Sequence, residues 1–118
     1  MLQEMGATRV LVLPSEGSLI ASEQDGADLV GESLSARARL VAVPVTRLTP
    51  AFLDLRSGLA GAVLQKFVNY RIRLAIVGDI SAAVARSPAM ADFVRESNRG
   101  SHIWFVEDLA SLQRRLGE

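Results

Sequence analysis

Ser57 is the residue whose type and position most directly suggest chemistry. It stands directly before Gly58 and an apolar stretch with helical spacing, so its hydroxyl should lie at the first turn of a helix. Free backbone N–H groups and the helix dipole stabilise an anion at such a place, including a phosphate carried by the serine itself. Serine is also a common helix cap. The sequence therefore leaves two interpretations of Ser57 and Gly58, a phosphorylation or binding site and a plain cap.

Two aspartates are candidate general bases for a small enzyme. Asp54 precedes Ser57 by three residues, and Asp79 follows Gly78 directly after a buried apolar run. Burial can tune a carboxylate for proton transfer, but Gly-Asp is also an ordinary turn at the end of a strand. His102, the one histidine, lies before the last predicted strand, at the opposite end of a parallel sheet from Ser57. A Ser-His-Asp triad is therefore not expected.

Two helical segments carry polar side chains that could meet a partner. These side chains are Gln65, Lys66 and Asn69 in the first segment and Glu96, Asn98 and Arg99 in the second. Residues four apart share one face of a helix, so the two amides of the first segment lie together. A solvated face explains the first group equally, and a helix end held by its own side chains explains the second. A partner surface is one of these open interpretations.

Arginines precede two of the predicted strands, in residues 37–39 (Arg-Ala-Arg) and 71–73 (Arg-Ile-Arg). In a parallel sheet both segments lie at the end opposite to Ser57. They could bind an acidic partner there, although arginines at strand entries are usually solvated.

The composition is that of one folded domain spanning residues 1–118, with 49% hydrophobic and 22% charged residues. Thirteen basic residues balance thirteen acidic ones, so the field that attracts nucleic acid or anionic membranes is absent. With no cysteine and one histidine, we expect no metal and no cofactor. No apolar run approaches the roughly 18–20 residues that span a bilayer, and no signal peptide is visible, which predicts a cytoplasmic protein.

Four short apolar runs predict strands covered on both faces by helices, because each run is continuously apolar. The runs are Val10–Leu13, Leu40–Val43, Leu74–Val77 and Ile103–Val106. A further strand is predicted at Ser18–Ala21, returning antiparallel to the first after a turn at Pro14–Gly17.

Capping and stop signals predict the helices between these strands. The predicted helices cover about 22–36, Gly58 to about Asn69, Ser87-Pro88 to about Gly100, and about 107–116, with a short helical turn at Thr49-Pro50. Together the elements predict an α/β fold: a mostly parallel five-stranded sheet with an N-terminal antiparallel strand pair and about four helices.

The segment Asp54–Gly61 (DLRSGLAG), placed after the third predicted strand, resembles the STAS domain of bacterial anti-sigma factor antagonists. That resemblance implies a STAS-like fold and a serine, here Ser57, that a partner kinase phosphorylates. Across its length, and especially in residues 58–70 (GLAGAVLQKFVNY) and 96–100 (ESNRG), the chain more closely resembles the bacterial DUF4180 family of uncharacterised proteins. The second resemblance implies no activity.

We therefore expect a non-catalytic, STAS-like regulatory or protein-interaction module. A protein partner, or a small ligand, would bind near Ser57. One alternative is a small enzyme that uses Asp79 or Asp54 as its base, and another is a structural subunit that forms a homodimer through an exposed apolar face.

Overall fold

Four strands with consecutive apolar residues and one more polar strand lie side by side in the middle of the protein. The computed structural model describes residues 1–117. Its strands are β1 (Leu2–Met5), β2 (Thr8–Val12), β3 (Leu40–Pro44), β4 (Arg73–Val77) and β5 (Ile103–Val106). They form one sheet in the order β1-β2-β3-β4-β5, in which β1 and β2 are antiparallel and the other neighbours are parallel. The predicted α/β class and mostly parallel sheet are confirmed.

Helices cover both faces of this sheet. They are α1 (Glu23–Ala36), α2 (Leu59–Asn69), α3 (Ser81–Arg86), α4 (Pro88–Arg99) and α5 (Leu109–Gly117). Because successive strand side chains point to opposite faces, Val41 and Ile76 pack with α1 to α4, whereas Leu40 and Ala75 pack with α5. All four side chains are buried, which explains why the strands do not alternate in polarity. No helix within residues 1–117 combines the length and apolar character that crossing a membrane requires.

The antiparallel pair forms from a different segment than the sequence predicted. The partner of β2 is β1, which pairs Leu2 with Leu11 and Met5 with Thr8. Gly6 takes a positive φ of 61° in the tight turn between them, a conformation that glycine adopts without strain. The strand predicted at Ser18–Ala21 is wrong.

The segment 18–21 instead lies along the loop that follows β3. Ile20 forms one isolated parallel bridge with Leu48. Arg47 holds the segment through its Nε, which donates to the Ser18 carbonyl at 2.7 Å, and its guanidinium also donates to the Pro14 carbonyl at 3.1 Å. The first of these hydrogen bonds occupies a carbonyl of the predicted strand, that of Ser18.

The predicted helix starts are confirmed by their caps. Ser22 Oγ accepts from the Asp25 N–H at 3.2 Å, and Ser87 Oγ accepts from the Met90 N–H at 3.1 Å. Thr49 Oγ1 accepts from the Phe52 N–H at 3.3 Å and so forms the predicted short turn. Five helices are present within residues 1–117 where about four were predicted, because the short α3 was missed.

Arginine occupies the left-handed position that ends both α1 and α2. Arg37 has φ 59° and Arg71 has φ 57°. After each of them the chain closes a Schellman-type turn, in which Ala38 N donates to Ser33 O and Ile72 N donates to Phe67 O, both at 2.9 Å. Glycine is the usual residue at this position, because a Cβ makes the left-handed region unfavourable.

Relief of this strain predicts a stability difference between two variants at position 37. Arg37→Gly and Arg37→Ala remove the same charge, but only glycine relaxes the backbone. We expect Arg37→Gly to be more stable than Arg37→Ala, with a free energy of unfolding about 1 kcal/mol higher. Urea denaturation followed by Trp104 fluorescence measures the difference, and equal stability of the two variants would show that position 37 is unstrained.

Candidate functional site

The loop of residues 45–58 joins β3 to α2 and carries the predicted site residues Asp54, Ser57 and Gly58. Its middle is anchored, because the Phe52 side chain is 1% exposed and lies in the core beneath α1 to α4. Thr49 Oγ1 adds a second attachment by donating to the Ile20 carbonyl at 3.1 Å. Beyond these anchors, residues 54–58 lie nearer the surface. The loop between β3 and α2 is therefore anchored in the core at its centre, and its last residues are more accessible to solvent.

The Ser57 hydroxyl bridges two backbone groups of this loop. It donates to the Ala51 carbonyl at 2.5 Å and accepts from the Leu59 N–H, the first of α2, at 3.1 Å. Gly58 turns the chain between them with φ 77°. Ser57 Oγ therefore accepts from the first N–H of α2, whereas the N-cap residue of that helix is Gly58. Ser57 is also exposed to solvent. Its phosphorylation stays a prediction.

Asp54 forms a two-pronged ion pair with Arg56. Arg56 Nε donates to Oδ1 at 3.1 Å and a terminal guanidinium nitrogen donates to Oδ2 at 3.2 Å, while the Arg56 backbone N–H donates to Oδ1 at 3.1 Å. These hydrogen bonds, first those of the side chain and then that of the backbone, lower the pKa of Asp54. Both residues are thereby occupied with each other.

Asp79 lies between β4 and α3, and its carboxyl accepts from the N–H of Ser81, the first residue of α3. Hydrogen bonds from Ser81, first from its side chain and then from its backbone N–H at 2.8 Å, lower the pKa of the Asp79 carboxyl. Gly78 has φ 138° and packs directly against Val45 at the start of the loop. Of the candidate site residues, Asp54, Ser57 and Gly58 thus lie in the loop, whereas Gly78 and Asp79 lie between β4 and α3.

A depression of about 580 Å³ lies beside the loop, between it and the α3–α4 corner. Its lining includes Pro50, Leu53, Asp54, Arg56, Ala83 and Arg86. Arg86 makes no hydrogen bond or ion pair with any residue in 1–117. Two guanidiniums thus face one carboxylate, and the depression carries a net positive charge. Ser57 follows Arg56, a lining residue, in the sequence but does not itself line the depression.

Arg86 and α3 were missed by sequence reasoning. The run Ser81–Ala85 is rich in alanine, the strongest helix former, and Asp79, two residues before it, is a residue type common near helix starts. Those two signals together could have located the helix. The position of Arg86 beside the Ser57 loop has no local signal in the sequence, because it depends on how α3 packs against that loop.

The amides on α2 are engaged with each other and not with a common site. Gln65 Nε2 donates to Asn69 Oδ1 at 2.8 Å on an exposed face. Lys66 lies 3.2 Å from Glu23 of α1 and so links the two helices. The predicted partner surface at these residues stays a prediction.

Asn98 ties the end of α4 to the edge of the sheet. Its Oδ1 accepts from the Phe105 N–H of β5 at 2.7 Å, and its carbonyl accepts from Arg115 of α5. Glu96 and Arg99 form an exposed pair of their own at 3.2 Å. Within residues 1–117 no hydrogen bond or ion pair joins this group to the amides of α2. The Asn98 side chain therefore has a structural contact that a partner would have to displace.

Removal of the Asn98 amide should destabilise the protein. Asn98→Leu leaves the half-buried N–H of Phe105 without an acceptor, and we expect the free energy of unfolding to fall by about 1–3 kcal/mol. Asn98→Asp keeps an acceptor oxygen and serves as the control, with a smaller loss. Thermal unfolding of both variants checks the prediction, and equal losses would indicate that this hydrogen bond contributes little.

Comparison with known proteins gives one result. The family model described as "Domain of unknown function (DUF4180)" matches residues 5–116, which include the whole loop of residues 45–58 and all of β2 to β5. No curated protein and no solved structure matches the chain. Since that description names no activity, function has to be argued from the geometry of the site.

Proposed function

The chain belongs to the DUF4180 family, a domain of unknown function, and we propose that it is a non-catalytic, cytoplasmic regulatory module that binds a protein partner through residues 45–58. Phosphorylation of Ser57 switches that binding. One observation carries the proposal, the exposed Ser57 hydroxyl that bridges the Ala51 carbonyl and the Leu59 N–H. The likeness of residues 54–61 to the phosphorylated serine motif of STAS domains supports it.

A phosphate on Ser57 changes the contacts of the loop. The hydroxyl hydrogen that is donated to the Ala51 carbonyl at 2.5 Å is lost on phosphorylation, and a charged phosphoryl group next to a carbonyl oxygen is repulsive. The side chain of Ser57 and the carbonyl of Ala51 then move apart. The N–H groups of the first turn of α2 are favourable partners for the phosphate, because they are unpaired within the helix and lie at the positive end of its dipole.

The same modification changes the sign of the charge at the surface. The depression beside the loop is net positive, owing to Arg56 and Arg86 against Asp54. A phosphate adds about −1.5 to −2 charges near neutral pH. A partner whose charge is complementary to the unmodified surface therefore binds the phosphorylated surface less well, and the reverse also holds. Like charges across an interface are costly.

The lowered pKa values of the two aspartates favour binding over the enzyme alternative. A carboxylate is an effective general base near neutral pH when its pKa is raised towards that range. Hydrogen bonds lower the pKa of both Asp54 and Asp79. Each is already the acceptor for a neighbouring N–H, which is a structural use of the same oxygens.

Phosphate mapping tests the proposal. The purified chain is incubated with ATP and lysate of the host organism, and modified residues are mapped by mass spectrometry. We expect phosphate on Ser57, and none at that position in Ser57→Ala. Ser35→Ala, which removes an exposed hydroxyl from α1, is the matched control and should leave the modification of Ser57 unchanged.

Partner capture supplies the second half of the test. Ser57→Ala and Ser57→Asp are used as baits, and we expect them to retain different sets of proteins. Absence of phosphate from Ser57, together with identical retention by the two baits, would refute the switch.

A further inference from the structure

We propose that the end of the sheet opposite to Ser57 binds an acidic protein segment that inserts an apolar side chain. The surface is formed where α1 and α2 end, and we call it the helix-end surface. Its residues are Leu34, Arg37, Arg39, Tyr70 and Ile72. It is separate from the Ser57 loop, since parallel strands place helix C-termini and strand starts at one edge and the Ser57 loop at the other.

Two adjoining depressions give the helix-end surface room for an apolar anchor. Their volumes are about 220 and 370 Å³, and both are lined by Leu34 and Tyr70. Leu34, in the last turns of α1, is 46% exposed, and Tyr70, directly after the end of α2, is 58% exposed. The floor of the larger depression includes the buried residue Ile72. A leucine or aromatic side chain from a partner can cover these groups and remove apolar area from water.

Three arginines around the helix-end surface have no hydrogen-bond or ion-pair partner within residues 1–117. Nine of the thirteen Lys and Arg side chains form hydrogen bonds or ion pairs within residues 1–117. Of the four that do not, Arg37, Arg39 and Arg71 lie at this end, and Arg86 lies at the other. Segments 37–39 and 70–73 contain no acidic residue.

Arg73 is the exception within the two arginine segments. Its guanidinium carbon lies 4.3 Å from the centroid of the Trp104 ring, and its Nε donates to the Ser101 carbonyl at 2.9 Å. Its partners therefore lie towards β5 and α5, on the other face of the sheet. This contrast separates a structural arginine from the three that remain available to a partner.

Backbone strain is a second, independent observation. Arg37 and Arg71 both occupy the left-handed position where glycine is favoured. The helix dipole stabilises a cation near a helix C-terminus, but an arginine in the last helical turn is stabilised in the same way without backbone strain. Residues in unfavourable backbone conformations cluster at binding sites, where contacts with the surrounding structure maintain the conformation. Two such arginines at one edge point to a requirement for guanidiniums there.

The mixture of groups selects the kind of partner. Tyrosine and arginine are enriched where proteins bind proteins, and an acidic segment with one apolar residue satisfies both the guanidiniums and the exposed Leu34 and Tyr70. Nucleic acid fits less well, because its affinity depends on many cations and the chain has no net positive charge.

Selection from a random dodecapeptide display library tests the proposal on the full chain. We expect the enriched peptides to combine acidic residues with one leucine or aromatic residue. Affinity for a synthetic copy of the best peptide should fall about tenfold in Arg39→Gln, as for an interface hot spot. Arg86→Gln removes an unpartnered arginine from the other end and is the matched control, with unchanged affinity. Tyr70→Ser, an exposed substitution whose fold is checked by circular dichroism, should also weaken binding.

Three results would overturn the proposal. The first is the absence of acidic enrichment, and the second is equal affinity in Arg39→Gln and Arg86→Gln. The third is binding of a single-stranded oligonucleotide, or dimerisation seen by light scattering, that Arg39→Gln or Tyr70→Ser abolishes, because this surface would then serve nucleic acid or a second copy of the chain. Peptide binding that persists in Ser57→Ala shows that the helix-end surface acts whether or not the Ser57 switch exists.

Discussion

Phe52→Ala is expected to lower the free energy of unfolding by about 3–5 kcal/mol, the usual cost of truncating a buried phenylalanine. Phe52 is 1% exposed and lies among the residues beneath α1 to α4, although it belongs to a loop and not to a helix or strand. Its loss leaves a cavity under the segment that carries Ser57. Since small domains are stable by about 5–15 kcal/mol, this single change removes a large share of the total.

Denaturant titration followed by Trp104 fluorescence measures the effect of Phe52→Ala. Phe52→Leu is the control, because it keeps an apolar side chain of similar reach and should lose much less stability. A loss below about 1 kcal/mol for Phe52→Ala, as for a typical surface substitution, would mean that the loop is not anchored in the core as described.

Gly78→Ala is expected to cost about 2–3 kcal/mol, the second large effect, because it combines backbone strain with a steric clash. Gly78 has φ 138°, and a Cβ there would lie 2.9 Å from Val45 Cγ2 and 3.0 Å from Val45 Cβ. Val45 begins the loop that leads to Ser57. The substitution therefore pushes apart the end of β4 and the start of that loop.

Two other glycines separate the strain from the clash. Gly58 has φ 77° but open space around it, so Gly58→Ala should cost only about 1 kcal/mol. Gly61 lies within α2 with open space and no positive φ, so Gly61→Ala should raise stability by about 0.5–1 kcal/mol. Thermal unfolding ranks the three variants. Equal costs at positions 78 and 58 would remove the contact with Val45 from the explanation.

The parallel part of the sheet was predictable because its signal is local and repeated. Each of β2 to β5 is apolar at consecutive positions, and burial on both faces produces that pattern regardless of what surrounds it. β1 has no such pattern, since only Met5 of its four residues is buried. Its signal was the tight turn at Gly6. Leu19 and Ile20 instead suggested a strand, but Ile20 forms only an isolated bridge with Leu48, and the Ser18 carbonyl accepts from Arg47.

The candidate site was predictable only in part, for a related physical reason. A serine and a glycine before a helical run specify a cap locally, so the position of Ser57 at the start of α2 followed from the sequence. The carbonyl of Ala51, six residues away, depends on the turn that Phe52 anchors. The depression with Arg86 depends on how α3 packs, which is a tertiary property. Neither follows from spacing.

Hydrogen exchange of the chain with phosphoserine installed at position 57 tests the central claim most directly, that the Ser57 hydroxyl holds the loop in its observed form. Mass spectrometry compares the exchange of backbone amides with that of the unmodified chain. We expect amides of residues 51–58 to exchange faster in the phosphorylated chain, while those of β3 and β4 keep their protection. Unchanged exchange across residues 51–58 would contradict the claim.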